Sequence, residues 1–239
     1  MKKLILIISA VTISANISAA AMDSHNGNHD MTGPSMNTNY DSHYLAIIPV
    51  FDVMAPVEVL ASQKFRNYSD YEKFAHDTMM GDNSAYLTTD TGNIFAVYMT
   101  LHHEAAIITS AGIKNITTDP KVTALADKII KAQSSEVQEM QALIRSDSLT
   151  GNDSDSFQKN MNTIMDNMMK KMDMPTGKLT ADQSTELFLK NMIVHHEGAV
   201  EMAKAYLKIG KNKKLINISK NILATQPKEI KEMQELLKK

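Results

Sequence analysis

The chain contains no cysteine and no tryptophan, and only 5% of its 239 residues are aromatic. Without cysteine it can form no disulfide, no thiolate zinc site and no covalently attached haem, and it has no thiol for lipid attachment. Its formal net charge of −2 at pH 7 excludes the strongly basic surface that nucleic-acid-binding domains use. Beyond the N-terminus, no apolar run approaches the roughly 18 residues of a membrane span.

Methionine, by contrast, is abundant, with 18 residues in the chain. Its thioether is a soft donor that stays available as a metal ligand in oxidising compartments, where thiols tend to form disulfides. Residues 1–21 are typical of a secretory signal, because two lysines precede a short apolar run and Ala19–Ala21 suits cleavage. The sequence therefore predicts a periplasmic or secreted protein, with no membrane association after signal cleavage.

Residues 22–68 are predicted to form a polar tail followed by an arm that packs against the folded part. The tail is rich in Asn, Asp, Ser and Gly, which favours disorder. Methionine and histidine are spread along it, at Met22, His25, His29, Met31, Met36 and His43. It is either a weak metal-capturing segment or a plain linker. The apolar stretch from Leu45 to Ser62 contains two prolines, which indicates an extended or partly helical arm.

From Ser69 onward the hydrophobic pattern has helical periodicity, and no stretch shows the alternation of a strand. The predicted helices are Asp70–Met80, Thr91–Gly112, Pro120–Ser146, Ser154–Met172, Ala181–Ile209 and Lys213–Lys238. Helix-start and helix-stop signals support these bounds at Asp119–Pro120, Thr180–Gln183, Gly112 and Gly210. Pro227 is expected to kink or split the last helix. The sequence thus predicts an all-α fold.

A shift of 93 residues aligns two parts of the chain without a gap. It places YMTLHHEAAIITS, which begins at Tyr98, on NMIVHHEGAVEMA, which begins at Asn191. Such an internal repeat indicates two helical modules, residues 69–147 and 153–239, packed together. The polar residues of the repeat persist in both copies along with the apolar ones, which indicates a chemical role beyond packing.

Each copy of the repeat places a methionine and two histidines on one helix face. At about 100° per residue, these side chains share the apolar stripe expected to be buried. They are Met99, His102 and His103 in the first copy, and Met192, His195 and His196 in the second. Glu104 and Glu197 fall on the opposite side, so roles behind the ligands or at the surface suit them better.

The next helix of each copy carries polar residues on its apolar stripe. They are Gln133, Glu136 and Met140 in the first copy, and Gln226, Glu229 and Met233 in the second. A buried glutamate needs a partner, because burial without one costs several kcal/mol. The facing histidines are the expected partners, and a carboxylate or amide that accepts from a histidine would orient its ring for metal binding.

A third element, FQKNMNTIMDNMMKKM, carries a methionine stripe at helical spacing. Its members are Met161, Met165, Met168, Met169 and Met172. Such a stripe is either core packing or a set of metal ligands. Paired histidines beside methionine in both copies favour ligands over packing. Thioether and imidazole donors without thiolate predict Cu(I), with Ag(I) or Cu(II) as alternatives.

The pattern MxxHHExA, followed in the next helix by QxxEIxxM, resembles the family of the domain of unknown function 305. The second copy supplies Met192, His195, His196, Glu197 and Ala199, then Gln226, Glu229, Ile230 and Met233. The first copy matches more loosely, with Val137 in place of the isoleucine. Members of this family are exported, ferritin-like helical bundles, and some bind copper in metal tolerance. The resemblance implies two tandem ferritin-like bundles that sequester or deliver copper, either to a copper-handling partner or through self-association.

Other functions remain open. A di-iron oxidase on such a bundle needs Glu-x-x-His pairs, whereas Glu104 and Glu197 follow their histidines. The HExxH pattern of zinc proteases is absent, since Ile107 and Val200 occupy the position of the second histidine. A haem bundle and a metal-free adaptor are further alternatives. No nucleophile–base pair is evident, so no catalysis is predicted.

Overall fold

The computed structural model describes residues 53–146, 149 and 154–238. Within that part of the chain the elements are α-helices and one 3-10 turn, Ser84–Tyr86, with no strand. The helices are α1 (Val57–Ala61), α2 (Tyr68–Met79), α3 (Thr91–Lys114), α4 (Pro120–Arg145), α5 (Asp155–Met169), α6 (Ala181–Ile209) and α7 (Lys213–Leu236). The predicted all-α fold is confirmed. The predicted signal and the methionine- and histidine-bearing tail lie outside the described residues.

Side-chain caps fix the starts of the long helices. The Asp119 carboxylate accepts a hydrogen bond from the backbone N–H of Lys121 at 2.7 Å, and Pro120 opens α4. At the start of α6, Thr180 and Gln183 form the predicted reciprocal capping box. These local signals are readable in sequence because each satisfies backbone groups that the helix itself leaves unpaired.

The central helix is α3, which is buried on almost every side. Of its 24 residues, all but Tyr98 and Lys114 are buried. Helices α2, α4 and α6 all pack on it. Its sequence explains this position, because Glu104 is the only Asp, Glu, Lys or Arg between Phe95 and Ile113. A helix that is apolar all round is stable only when its neighbours cover it.

Two helix pairs form the body of the fold, α3 with α4 and α6 with α7, and α3 packs against α6. All seven helices contribute buried apolar residues to one continuous cluster, and Val97 and Leu101 of α3 pack with Val53 in a second, small one. The helices of both predicted modules therefore share a core, and the division into two modules stays a prediction. The contact of α3 with α6 matters most for the site, because it brings the two HHE motifs together.

Three local expectations were wrong. Gly112 does not end α3, which continues to Lys114. Its missing side chain instead lets Tyr71 approach, since a Cβ there would lie 2.5 Å from the ring carbon Cγ. Pro227 does not split α7, which runs from Lys213 to Leu236 with Gln226 and Glu229 buried before and after the proline, and a kink there stays a prediction. Helix α5 ends at Met169, so Met172 lies in the turn that follows rather than on the helix.

The described part of the predicted arm, from Val53 onward, packs against the helices. Val53, Ala55, Val57 and Leu60 are buried, and Val57 begins the short helix α1. The Gln141 side-chain amide donates to the backbone carbonyls of Val53 and Ala55, at 3.0 and 2.9 Å. The arm thus docks through α4 as well as through apolar contacts. Among the described helices, none is long and apolar enough to cross a membrane.

Candidate metal centre

Helices α3 and α6 bring one histidine of each motif face to face. The ring centroids of His102 and His195 lie 3.6 Å apart, with their planes inclined by 45°. The second histidines, His103 and His196, are buried as well. The ring centroids of the neighbours His102 and His103 are 6.0 Å apart. The two motifs, far apart in sequence, therefore place four histidines in the interior where α3 and α6 meet.

The outer histidines are each held by a glutamate from the following helix. His103 Nε2 lies 2.8 Å from Glu136 Oε2, and His196 Nε2 lies 2.9 Å from Glu229 Oε2. These are the partners that the helical pattern predicted. In a neutral imidazole, donation from Nε2 to a carboxylate leaves the lone pair on Nδ1. Neither Nδ1 atom has a hydrogen-bond partner, which leaves both available as metal donors.

The two carboxylates are themselves positioned from outside the core. Glu136 Oε1 accepts a hydrogen bond from the Asn221 amide of α7 at 2.6 Å. Glu229 Oε1 lies 3.4 Å from Lys128 Nζ of α4. Burial raises the pKa of Glu229, but its contacts with His196 and Lys128 outweigh it, so the net pKa is lowered. This carboxyl is therefore ionised near neutral pH, as the hydrogen bond from His196 requires.

The inner histidines lack comparable partners. Neither ring nitrogen of His102 or His195 has a hydrogen bond of ordinary geometry. Burial holds the pKa of both well below the usual value, and the neighbouring histidines lower it further. Weak contact of each ring with the other residue's backbone only partly offsets this lowering. Both imidazoles are therefore neutral at pH 7, and their lone pairs need not lose a proton before binding a metal ion.

A methionine sulfur of α5 approaches the inner pair through a gap at Gly198. A Cβ at this position would lie 2.8 Å from Met168 Sδ and 3.3 Å from His102 Nε2. The absent side chain thus leaves room for a thioether beside an imidazole. Sequence reasoning missed Gly198, although the motif signals it: the second copy reads HHEGA where the first reads HHEAA.

The remaining candidate ligands divide by location. Four are buried in the shared core: Met99, Met140, Met165 and Met233. Two line a small cavity beside His195, namely Met172 and Met192. Met169 is only partly buried. Gln133 and Gln226 are buried with their side-chain carbonyl oxygens unpartnered. Whether any of these side chains binds a metal stays a prediction.

The two motif glutamates have different surroundings. Glu197 is exposed, as expected for the face of α6 opposite the histidines. Glu104 is fully buried, so a surface role for it was wrong. Its Oε1 atom lies 3.4 Å from Gln141 Nε2, the same amide that holds the arm. The docked arm therefore explains why this outward face of α3 is covered.

In the described residues, no three histidine, aspartate or glutamate side chains form a group that could hold a metal ion. The interior instead offers histidine nitrogens in pairs, with methionine sulfur close to His102 and His195. Such a donor set is soft and uncharged. It suits soft ions such as Cu(I) far better than ions that prefer carboxylate oxygens.

The fold and its interior define an all-helical protein whose core is crossed by two histidine–glutamate pairs. The sequence profile of the domain of unknown function DUF305 matches residues 92–237, and the chain belongs to this family. A single match spans both copies of the motif, and a tandem arrangement of family domains stays a prediction.

A solved structure supports the fold. It is the crystal structure of a candidate secreted DUF305 protein from Streptomyces coelicolor, with a TM-score of 0.51 and 24% sequence identity. The match covers 63% of this chain and 92% of that chain. No curated protein matches the chain.

Proposed function

We propose that this protein is an exported copper-binding protein that sequesters Cu(I) or hands it on. The observation that carries the proposal is the facing pair His102 and His195, whose rings lie 3.6 Å apart in the interior. Buried polar atoms are normally hydrogen-bonded, and those without a partner call for an explanation. A bound metal ion would take up the lone pair of each ring once the two rings, which are in contact at this distance, turn to admit it. The predicted N-terminal signal supports export, and the Streptomyces relative is a candidate secreted protein.

Charge favours a monovalent ion at this pair. The donors nearest to it are neutral imidazoles and the thioether of Met168, which compensate no charge. The cost of placing an ion in a low-dielectric interior grows steeply with its charge, so a monovalent ion is accommodated more easily. Ag(I) shares the charge and softness of Cu(I) and is a suitable stand-in. Cu(II) fits less well because it prefers nitrogen and oxygen donors.

The di-iron alternative finds less support. Such a centre needs carboxylates and histidines that converge on the metals. Glu104 contacts Gln141, Glu197 is exposed, and Glu136 and Glu229 hold histidines from behind. We therefore propose binding rather than catalysis, with a copper-handling protein or a second copy of this chain as the receiver of the metal.

The test is a Cu(I) titration of the mature protein against a competing chelator. The variant with His102→Ala and His195→Ala should bind one Cu(I) fewer than the wild type, because both inner ligands are gone. His76→Ala, a partly exposed histidine of α2, serves as the control and should bind like the wild type. Circular dichroism checks that each variant is folded. Absence of tight binding by the wild type would overturn the proposal.

A further inference from the structure

A small cavity lies between α2, α3 and α6, on the side of His195 that the helix α2 covers. Its lining, completed by Thr109 and two alanines, includes three methionines, a histidine, a glutamate and an asparagine. They are Met79, Met172, Met192, His195, Glu72 and Asn191. Met79 comes from α2, Met172 from the turn after α5, and Met192 from α6. Three elements thus converge to bring three thioether groups and an imidazole to the wall of a single cavity.

Glu72 is the unusual member of this wall. Its side chain is buried, with the residue only 2% exposed. Its Oε2 atom accepts a hydrogen bond from the Asn191 amide at 3.0 Å, whereas Oε1 has no hydrogen bond of ordinary geometry and the carboxyl interacts only weakly with the Tyr68 hydroxyl. Burial raises the pKa of this carboxyl to about 7. No lysine or arginine is among the residues that line the cavity. A buried carboxylate is stabilised by a positive charge nearby, and the residues that line this cavity supply none. A bound cation would supply it.

Asn191 also fixes the turn that delivers Met172. Its amide donates to the backbone carbonyl of Asp173 at 2.9 Å, and its side-chain oxygen accepts from the Asp173 N–H at 2.9 Å. One side chain of α6 therefore holds both the carboxylate of α2 and the turn after α5. The wall is built by specific contacts rather than left by loose packing.

We propose that this cavity is a second binding site for a monovalent soft cation, Cu(I) or Ag(I), distinct from the facing histidine pair. The thioethers of Met79, Met172 and Met192 hold the ion, and Glu72 balances its charge. The inference rests on the proposed function, because both sites take the same class of ion. A neutral imidazole has a single lone pair, so the His195 ring lines the cavity but binds the ion of the histidine pair.

Two exposed methionines lie close in sequence to two of the cavity methionines. Met80 and Met174 are 55% and 39% exposed, and they belong to the few exposed large apolar side chains among the described residues. They follow Met79 and Met172 by one and two positions along the chain. Soft donors therefore occur at the surface beside those inside, as a site that captures ions from solvent requires.

Charge separates this cavity from the histidine pair. A carboxylate and a monovalent ion together are neutral, whereas a divalent ion would leave a net positive charge in the interior. The histidine pair has no such compensating group within its own donor set. The cavity should therefore bind a monovalent ion more tightly than the pair does, and Glu72→Gln should weaken binding there by about tenfold or more.

The experiment counts Ag(I) and Cu(I) equivalents bound by the mature protein, with X-ray absorption to compare sulfur and nitrogen ligands. The cavity variant carries Met79→Leu and Met172→Leu, substitutions that keep the volume and cost less than about 1.5 kcal/mol each. It should bind one equivalent fewer than the wild type and show fewer sulfur ligands. Met202→Leu, a buried methionine of α6 outside the cavity wall and outside the candidate ligands, is the control and should leave both readings unchanged.

The variant His102→Ala separates the two sites, because His102 does not line the cavity. It should weaken the histidine pair while the cavity retains its ion. If the cavity variant binds as many ions as the wild type, the second site is wrong and the histidine proposal stands. If the cavity variant loses every ion, there is one shared site rather than two. If the wild type binds neither metal tightly, both proposals fail.

Discussion

The two copies of the histidine motif share a frame but differ in the donors around it. In each copy a histidine of the first helix contacts a glutamate of the second, at 2.8 Å in one and 2.9 Å in the other. The surroundings of the inner histidines are not equivalent. His195 borders a cavity with three methionines, whereas His102 has Met168 near its ring across Gly198. The repeated frame fixes the ring positions, and the neighbouring helices determine which soft donors reach them.

The copies differ in exposure as well. Helix α3 is covered on nearly all sides, including the face of Glu104 under the arm, whereas the equivalent Glu197 of α6 is exposed. An internal repeat therefore does not require equal environments. One copy forms the centre of the core, and the other retains a solvent face with fewer constraints on its sequence.

The largest expected effect is on how stability depends on pH. It comes from the inner histidines, of which each copy contributes one. Their pKa values in the folded state are lowered, mainly by burial. Below about pH 6.5 the unfolded chain binds protons that the folded chain does not, so stability is complete above that pH and is lost as the pH falls. Each neutral histidine contributes a slope of about 1.4 kcal/mol per pH unit in this range.

Urea unfolding of the metal-free protein between pH 4.5 and 7.5 measures this slope. The variants His102→Leu and His195→Leu should each flatten it by a similar amount. His103, His196, Glu136 and Glu229 also surround the pair but are common to all variants. Glu72 makes the folded protein more stable as the pH falls, since burial raises its pKa to about 7. Its contribution is present in the wild type and in both variants, so it cancels when their slopes are compared. Equal slopes in wild type and variants would mean that these rings are protonated in the folded state.

A smaller effect on stability is expected at Gly112, where the second copy has alanine. Gly112 of α3 corresponds to Ala205 of α6, and a Cβ at Gly112 would lie 2.5 to 2.8 Å from the Tyr71 ring. The ring is buried and held by Phe65, whose centroid is 4.9 Å away. Gly112→Ala should therefore destabilise the fold by about 1–3 kcal/mol.

The reverse change in the other copy is the matched control for this prediction. Ala205→Gly should cost about 1 kcal/mol through helix propensity alone. Adding Tyr71→Leu to Gly112→Ala should recover part of the loss, because the smaller side chain relieves the contact. A Gly112→Ala protein as stable as the wild type in urea would show that α2 shifts freely on α3.

The sequence was sufficient for features that depend on local pattern. Helix caps such as Asp119 and the pairing of His103 with Glu136 follow from spacing along neighbouring helices. The facing of His102 and His195 does not, because it depends on how α3 crosses α6. The burial of Glu104 could not be predicted either, because periodicity placed it on the face of α3 opposite the histidines, and the arm covers that face. Met172 could not be placed either, because its helix ends three residues earlier and a tertiary contact to Asn191 takes over.

The cavity shows a further limit of pattern reasoning. In the sequence, Met79 stands out only because the 93-residue shift places it on Met172. Nothing distinguishes Glu72 from the other polar residues of a helix of mixed polarity. Their roles emerge only when α2 lies against α6. Gly198 is the exception, since a glycine inside a helix where the other copy has alanine already indicates a close approach.

Substitution of Gly198 is expected to have the smallest effect on stability and the most selective effect on metal binding. Gly198→Ala makes the second copy read like the first, and its Cβ would lie 2.8 Å from Met168 Sδ. The flexible methionine can move aside, and alanine favours the helix by about 1 kcal/mol, so stability should change little. Moving the sulfur away from His102 should weaken Cu(I) binding at the histidine pair by about 10- to 100-fold. Met168→Leu should reproduce this loss in a competition titration, whereas Met202→Leu, at a buried methionine of α6 that does not line the cavity, should not. Unchanged affinity in both Gly198→Ala and Met168→Leu would remove Met168 from the ligand set and leave the histidines as the only donors of that site.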